Sequence, residues 1–333
     1  MRPAAVPARI PGGIVDSHLH LWDLGRFAYP WLSDPDCADL RADYLPADWR
    51  ADAPGVDIAA TVHVQAEIDH AVDPVEETAW LDSLAAAGGA DGAPVPTVCV
   101  GYADLRAPDL DDVLDRHQRY PLFRGIRQEA WYDPYSTRAD LPRHNLLDDP
   151  AWVAGLRRLA ARQLTFDLLV WPHQLVRAAE IFRELPQLPV VLEHAGLPPP
   201  DPGYREQWRD GMRWFATQVP WAVLKLSALR SVSPTWSVVE LRPVVREAIE
   251  IFGPSRCMFG SNFPVDRSLP AGKPAVAYAD LWRAYQEMTN DLSAAERAAL
   301  FREAAVRAYR IDLPPSVSNR CGSPRDQAGD RHG

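Results

Sequence analysis

The stretch GIVDSHLHL, residues 13–21, begins as an apolar run and closes on two histidines one residue apart. Runs of the same character recur along the chain: IAATVHVQA (58–66), PTVCVGYADL (96–105), LFRGIRQ (122–128), LTFDLLVW (164–171), PVVLEHAG (189–196), AVLKLSAL (222–229) and CMFGSN (257–262). Each is short, rich in β-branched or aromatic residues, and bounded by turn residues, the pattern of a buried strand. Helical patterns fill most of the gaps. In AWVAGLRRLAARQ (151–163) Trp152, Leu156, Leu159 and Ala160 share a face behind Asp149-Pro150, an N-cap followed by a first helical residue. Leu175, Ala178, Phe182 and Leu185 stack in the same way in HQLVRAAEIFREL (173–185), and Gly253 marks a helix end just before the last strand. The final helix opens on the capping box Ser293-Ala-Ala-Glu296.

Eight strands alternating with helices over about 300 residues predict an α/β fold, a (β/α)8 TIM barrel. The expected organisation is an N-terminal extension (1–12), a barrel (13–312) and a disordered tail (313–333) with no apolar period. Two long connections, 22–57 and 128–150, are rich in Trp, Tyr and Pro and are expected to overhang the strand ends. No GxGxxG loop or P-loop is present.

Composition narrows the class. The 333 residues are 47% hydrophobic and 24% charged, with a formal net charge of −10, so a nucleic-acid surface is not expected. No apolar run approaches the roughly 20 residues that span a bilayer. The first residues, MRPAAVPARIPGG, lack the apolar core of a secretory signal, and a cytoplasmic protein is expected. Four cysteines, Cys37, Cys99, Cys257 and Cys321, are scattered without CxxC spacing, which argues against a thiolate metal site or a disulfide framework.

In a barrel, chemistry sits where the strands end. Strand alternation puts Asp16, His18 and His20 on one inward face, where two imidazoles can bind a divalent cation or orient a carbonyl and a water. His194 ends a later strand in VVLEHAG, a position for a further ligand or an acid–base group. Strict alternation sends its neighbour Glu193 to the opposite face.

These residues carry a resemblance. IVDSHLHLWD, RGIRQ, LTFDLLV, LPVVLEHAG, LKLSAL and FGSNFPVD, in that order, resemble the amidohydrolase-related (amidohydrolase 2) family of TIM-barrel hydrolases, in particular the branch holding L-fuconolactonase and 2-pyrone-4,6-dicarboxylate lactonase. The likeness spans residues 13–312. It implies a distorted barrel that hydrolyses lactones or related bonds, with His18, His20 and His194 as metal ligands or carbonyl-polarising groups. A divalent cation, zinc first, is one option; a metal-free mechanism is the other.

One position departs from the family pattern. Where a strand-eight aspartate is usual, this chain has Asn262. An amide can donate a hydrogen bond or offer a carbonyl ligand, but it is no base near neutral pH. Asp266 is then the favoured base, brought back by a turn at Pro264, ahead of Glu193. Arg127 is read as a carboxylate fork for substrate, with an ion pair to Asp167 as its structural alternative; Lys225 must pair with a carboxylate or reach the site. Gln65, Trp22 and Trp171 complete the expected substrate contacts, and Trp31, Trp131 and Tyr132 are further wall candidates. His63 is read as structural, while His70, His117, His144 and His332 are read as surface residues.

The leading expectation is therefore a hydrolase opening a cyclic ester, a sugar lactone or a carboxylated lactone, by water attack. Its substrate is expected to be small, cyclic and anionic, and the barrel helices leave a homo-oligomer open. A metal-dependent decarboxylase of an aromatic or unsaturated acid and a catalytically silent ligand-binding barrel are the alternatives.

Overall fold

The structure is a computed structural model that describes residues 9–88, 94–133, 144–233, 235–267 and 275–313. Its eight strands are β1 (Ile14–Leu19), β2 (Ile58–Val64), β3 (Val98–Gly101), β4 (Phe123–Arg127), β5 (Thr165–Leu168), β6 (Val190–Leu192), β7 (Val223–Leu226) and β8 (Cys257–Phe259). All neighbours pair in parallel in the order β1 to β8. The helices in chain order are α1 (Pro46–Asp52), α2 (Val75–Gly88), α3 (Leu110–His117), α4 (Pro150–Ala161), α5 (Leu175–Phe182), α6 (Arg205–Gln218), α7 (Val238–Phe252), α8 (Tyr278–Met288), α9 (Ala294–Ala298) and α10 (Ala304–Tyr309). The expected (β/α)8 barrel is thus the fold, with each expected strand run containing one strand. No helix among the described residues is long and apolar enough to cross a membrane.

Closure between the first and last strands is made by the chain just beyond β8. Asn262 N donates to His18 O (2.7 Å) and His20 N to Phe263 O (2.8 Å). Gly260 permits this approach, because a Cβ there would lie 2.6 Å from the His18 Cβ. Gly260→Ala is accordingly expected to cost ~1–3 kcal/mol by forcing the closing strands apart. A thermal melt as stable as wild type would show that the seam can yield.

Inside the barrel, Val15, Val62, Val64, Val100, Val191 and Met258 form an apolar cluster, completed by alanines of α10. That helix closes the end opposite the strand C-termini: Thr165 Oγ1 donates to Ala308 O (2.9 Å) and the Tyr309 hydroxyl to Asp167 Oδ2 (2.6 Å). A larger core, with Trp152, Phe166, Phe182, Phe215 and Phe259, packs the strands against the outer helices. The helix signals read from sequence act as expected. Asp149 accepts from Ala151 N at 2.9 Å, Ser293 and Glu296 form a reciprocal capping box, and Gly253 ends α7 at φ +82°.

The connection 22–57 is not a bare loop. Two 3-10 turns and α1 build it into a packed unit, tied to the barrel through the bridge between Trp22 and Tyr44. Much of the second long connection, residues 134–143, lies outside the described residues, as does the expected tail from 314 onward, with His332.

Candidate active site

Two irregular strands build the floor of the site. β1 shifts its register against β2 between Asp16 and Leu19, which breaks the alternation. Val15 therefore belongs to the barrel interior while Asp16 turns outward to the helical layer. Its carboxylate accepts from Tyr278 Oη of α8 (2.9 Å), Ser261 N (2.8 Å) and His18 N (3.2 Å). The expectation that Asp16 shares a face with His18 and His20 is corrected by this shift. Asp16 braces the strand ends behind the histidines, and burial pushes its pKa up to about 6 despite those bonds.

The second irregularity follows β6. His194 and Ala195 have φ of +55° and +54°, so the chain turns sharply rather than continuing as pleated strand. Alternation ceases to apply, and Glu193 and His194 face the same cluster. The reading that sent Glu193 away is overturned by this turn. His18 Nδ1 lies 3.1 Å from Glu193 Oε1, and His194 Nε2 lies 4.0 Å from Glu193 Oε2. One nitrogen of His18, one of His194 and a carboxylate oxygen of Glu193 all fall within 4.8 Å of one another. His20 adjoins them, its Nε2 3.0 Å from His18 Nε2.

Protonation explains why this cluster suits a cation. Burial lowers the pKa of His18 and His20 well below the usual histidine range and that of His194 to about 4, so all three are neutral at pH 7. For Glu193, burial alone would raise the pKa, but the buried cations Lys225 and Arg127 outweigh it and hold the carboxyl ionised. His20 Nδ1 meets Val64 O at 2.8 Å, so it carries the proton and Nε2 is left as a lone pair. A neutral His18 then faces a conflict. With its proton on Nε2, its Nδ1 lone pair opposes the Glu193 carboxylate; with it on Nδ1, two Nε2 lone pairs oppose each other at 3.0 Å. His18 Nδ1 indeed makes no aligned hydrogen bond despite its burial. One positive charge among these atoms removes the conflict, and the donor set of two imidazoles and one carboxylate fits a zinc-type cation. His194 Nδ1 is hydrogen bonded to Ser227 Oγ (2.9 Å), an orienting contact that leaves Nε2 for the cluster.

Beneath Glu193 runs a buried ion-pair chain. Lys225 Nζ bonds Asp167 Oδ2 (2.6 Å) and Glu193 Oε1 (3.1 Å), all three side chains being fully buried. Of the two sequence alternatives for Lys225, pairing with carboxylates is the one realised, and one of its partners, Glu193, stands in the site. Arg127 pairs not with Asp167 but with Glu193 (3.3 Å) and Glu129 (3.8 Å), and it donates to Gln65 O at 2.7 Å.

The turn after Pro264 carries Asp266 back, but onto Asn262 rather than over the mouth of the barrel where a base was expected. Its Oδ1 accepts from Asn262 Nδ2 (3.0 Å), its N donates to Asn262 O (3.0 Å), and its Oδ2 is buried without a hydrogen-bond partner. Asn262 therefore commits one amide N–H to Asp266, which fixes the amide and leaves Oδ1, the carbonyl ligand considered from sequence, as an acceptor. Burial pushes the Asp266 pKa up to about 7. A carboxyl raised in this way binds its proton more tightly folded than unfolded, so between about pH 4 and 7 it makes stability fall as pH rises. Asp266→Asn is expected to flatten that part of the curve. Melts at pH 5 and 8 that change equally in both proteins would rule this out.

A cavity of about 500 Å³ opens above the cluster. Its floor holds His20, Arg127, His194 and Asn262, and Trp31, Trp131, Leu169 and Val265 supply apolar walls. Three expected substrate contacts do not reach it. Trp22 is buried and donates to Ala42 O (2.6 Å), edge-on behind Trp31; Trp171 stacks behind Trp131 with centroids 5.3 Å apart; and the Gln65 amide is bound to Glu67. Aromatic residues at strand ends can wall a pocket or back the wall, and only packing separates the two. Asp266 also lies behind Asn262 rather than on the cavity surface.

The histidines read as surface residues divide. His117 is fully buried between Thr78 Oγ1 (2.9 Å) and Tyr102 O (3.0 Å), stacked on Phe123, while His144 is an exposed partner of Arg106. His70 lines the cavity, as do Glu67 and Asp69 beside it. Nothing in AEIDH, residues 66–70, distinguishes this segment from an ordinary polar loop. His63 is structural as read, turned toward Glu77 of α2 at 3.5 Å.

A closed parallel barrel with neutral imidazoles and one ionised carboxylate gathered at the C-terminal strand ends is the architecture of a hydrolytic barrel enzyme. The chain belongs to the amidohydrolase family, whose family model matches residues 15–311. The uncharacterised protein y4mH of Sinorhizobium fredii is 36% identical over 90% of this chain and 98% of its own length. L-fucono-1,5-lactonase of Burkholderia ambifaria is 30% identical over 90% of this chain and 96% of its own. A crystal structure of an amidohydrolase from Burkholderia multivorans with bound zinc has a TM-score of 0.73 and 29% identity, covering 90% of this chain and 99% of that one.

Proposed function

We propose that this protein hydrolyses a lactone, with a divalent cation, zinc first, held by His18, Glu193 and His194. The observation that carries the reading is the convergence of those three ligand atoms within 4.8 Å beneath a ligand-sized cavity. The lactonase named among the relatives and the zinc named for the similar crystal structure support it. His20, expected from sequence as a third ligand, adjoins the set through His18 and is assigned to the proton-accepting part of the site.

A cation bound there supplies Lewis-acid polarisation of the ester carbonyl and acidifies water, so a strong protein base is unnecessary. The chain's own residues do the rest. Asn262, its amide pinned by Asp266, offers Oδ1 to accept a hydrogen bond from the attacking water and so orients it. The proton passes to the neutral cavity-wall imidazole of His20, whose Nε2 keeps its lone pair. Asp266 acts as a positioning residue for Asn262, and Trp31 and Trp131 flank the ring. The walls exclude solvent on either side of it.

The test is a pH-indicator assay over sugar-acid, aromatic and carboxylated lactones, with and without chelator, on wild type and a His18→Ala/His20→Ala variant. Turnover that chelator and the double substitution both abolish is the expected result. Turnover of some lactone that neither treatment affects would remove the metal site from the reaction, and no turnover by folded, zinc-loaded protein would end the lactonase reading.

A further inference from the structure

Part of the cavity wall is made by the segment after β2, next to Trp31, and none of its side chains is used by the reaction proposed above. Glu67, Asp69 and His70 line it. The segment is held at several points. Trp31 Nε1 donates to Ala66 O (2.8 Å), Asp69 N donates to Ala28 O (2.9 Å), and Glu67 N donates to Gln65 Oε1 (2.7 Å). Glu67 sits at φ +56°, a left-handed conformation that a glutamate adopts at a cost and that these contacts impose. His70 lies flat on the Tyr102 ring, centroids 4.1 Å apart and 11° from parallel, with its Nε2 3.0 Å from Glu67 Oε2. Its side chain stays half exposed toward the cavity.

We propose that Glu67, Asp69 and His70 form a hydroxyl-binding subsite that selects neutral, polyhydroxylated lactones and rejects lactones that carry a carboxylate. The chemistry runs on acceptor count and charge. Ionised carboxylates have no donor of their own, so a preorganised pair of them is matched by a ligand rich in O–H donors. The aromatic wall formed by Trp31 and Trp131 complements the C–H faces of such a ring.

Charge along this wall disfavours an anionic substituent. Among the described residues, three carboxylates, Glu67, Asp69 and Glu129, line the cavity against one permanent cation, Arg127. Both terminal nitrogens of Arg127 already face protein oxygens: Glu193 at 3.3 Å, Gln65 O at 2.7 Å and Glu129 at 3.8 Å. The guanidinium fork expected to receive a substrate carboxylate is thus committed within the protein. Its Nε is buried, so it does not restore a two-nitrogen fork for a carboxylate. A carboxylate entering this space meets like charges with no free bidentate partner.

The proposal rests on the lactonase reading, and the experiment separates the two. kcat/KM is compared for matched lactones of one ring that differ only in a terminal hydroxymethyl or carboxylate group, in wild type, Glu67→Gln/Asp69→Asn and His70→Phe. Wild type is expected to favour the neutral lactone by at least ~10²-fold. The double variant is expected to narrow that preference by ~10-fold or more as two like charges are removed, and His70→Phe, which keeps the stacking on Tyr102, to raise KM for the neutral substrate. A wild-type preference for the carboxylated lactone, or a ratio untouched in the double variant, overturns the subsite. Should neither lactone be hydrolysed, calorimetry with the corresponding non-hydrolysable lactams tests the subsite by binding alone. Tighter neutral-lactam binding that narrows in the double variant keeps the subsite while the hydrolytic reading falls; equal binding of both lactams overturns the subsite.

Discussion

Glu193→Gln is expected to lower lactone turnover by ~10³-fold or more while leaving the shape of the side chain intact. The substitution takes the only anion from the proposed cation site and leaves His18 and His194 as an all-neutral pair. Zinc binding, followed by calorimetry, is expected to weaken in parallel. Stability suffers as well, because Lys225 is fully buried and Arg127 nearly so, and both have Glu193 as a partner. Breaking a buried pair from one side costs ~3–5 kcal/mol. The double variant Glu193→Gln/Lys225→Met distinguishes the two effects. It removes the stranded ammonium together with its partner, so much of the lost stability is expected to return while turnover stays lost. Turnover in the single variant within ~10-fold of wild type would make Glu193 a structural residue only.

The second large effect is a gain. Moving one negative charge four residues along, by Asn262→Asp/Asp266→Asn, is expected to tighten zinc binding by ~10²-fold. The Asn262–Asp266 pair holds one carboxylate and one amide in contact at 3.0 Å, with the amide on the cavity side. The exchange conserves the pair and its charge but presents the anion to the cluster. Asn262→Asp alone is expected to gain less, because two carboxylates in contact cannot both ionise and one of them keeps a proton. Equal zinc affinity in wild type, the single and the double variants would show that position 262 does not bear on the cation.

The strand count was legible because each strand is short, apolar and ended by a turn residue, and eight such runs leave few architectures. Asn262 was legible as a departure, and so was the return of Asp266, because Pro264 cannot continue a strand. The face of each side chain was less so. Alternation is a property of regular pleat, and the two places where the chemistry gathers are where pleat fails: the register shift in β1 and the positive-φ turn after Glu193. Counting by twos therefore put Asp16 in the site and Glu193 out of it, the reverse of what the fold does.

The pairing of charges was equally hidden. Arg127, Asp167, Glu193 and Lys225 all stand at or near strand ends, and any of several pairings satisfies their burial on paper. Register alone decides that Lys225 bridges Asp167 and Glu193 while Arg127 turns to Glu193 and Glu129. Trp22 and Trp171 likewise match Trp31 and Trp131 in type and position, yet stand one layer behind them.

By itself the sequence determined the barrel, its helix caps, the histidines at its first and sixth strands and the amide at its eighth. These follow from local period, capping chemistry and residue type, which act over a few neighbours. Only the tertiary structure decided which carboxylate joins the histidines, which cation is already neutralised, and which residues form the acidic wall at 67–70. Those outcomes depend on contacts between residues tens to hundreds of positions apart, fixed where a bulge or a left-handed turn redirects one side chain by a full face.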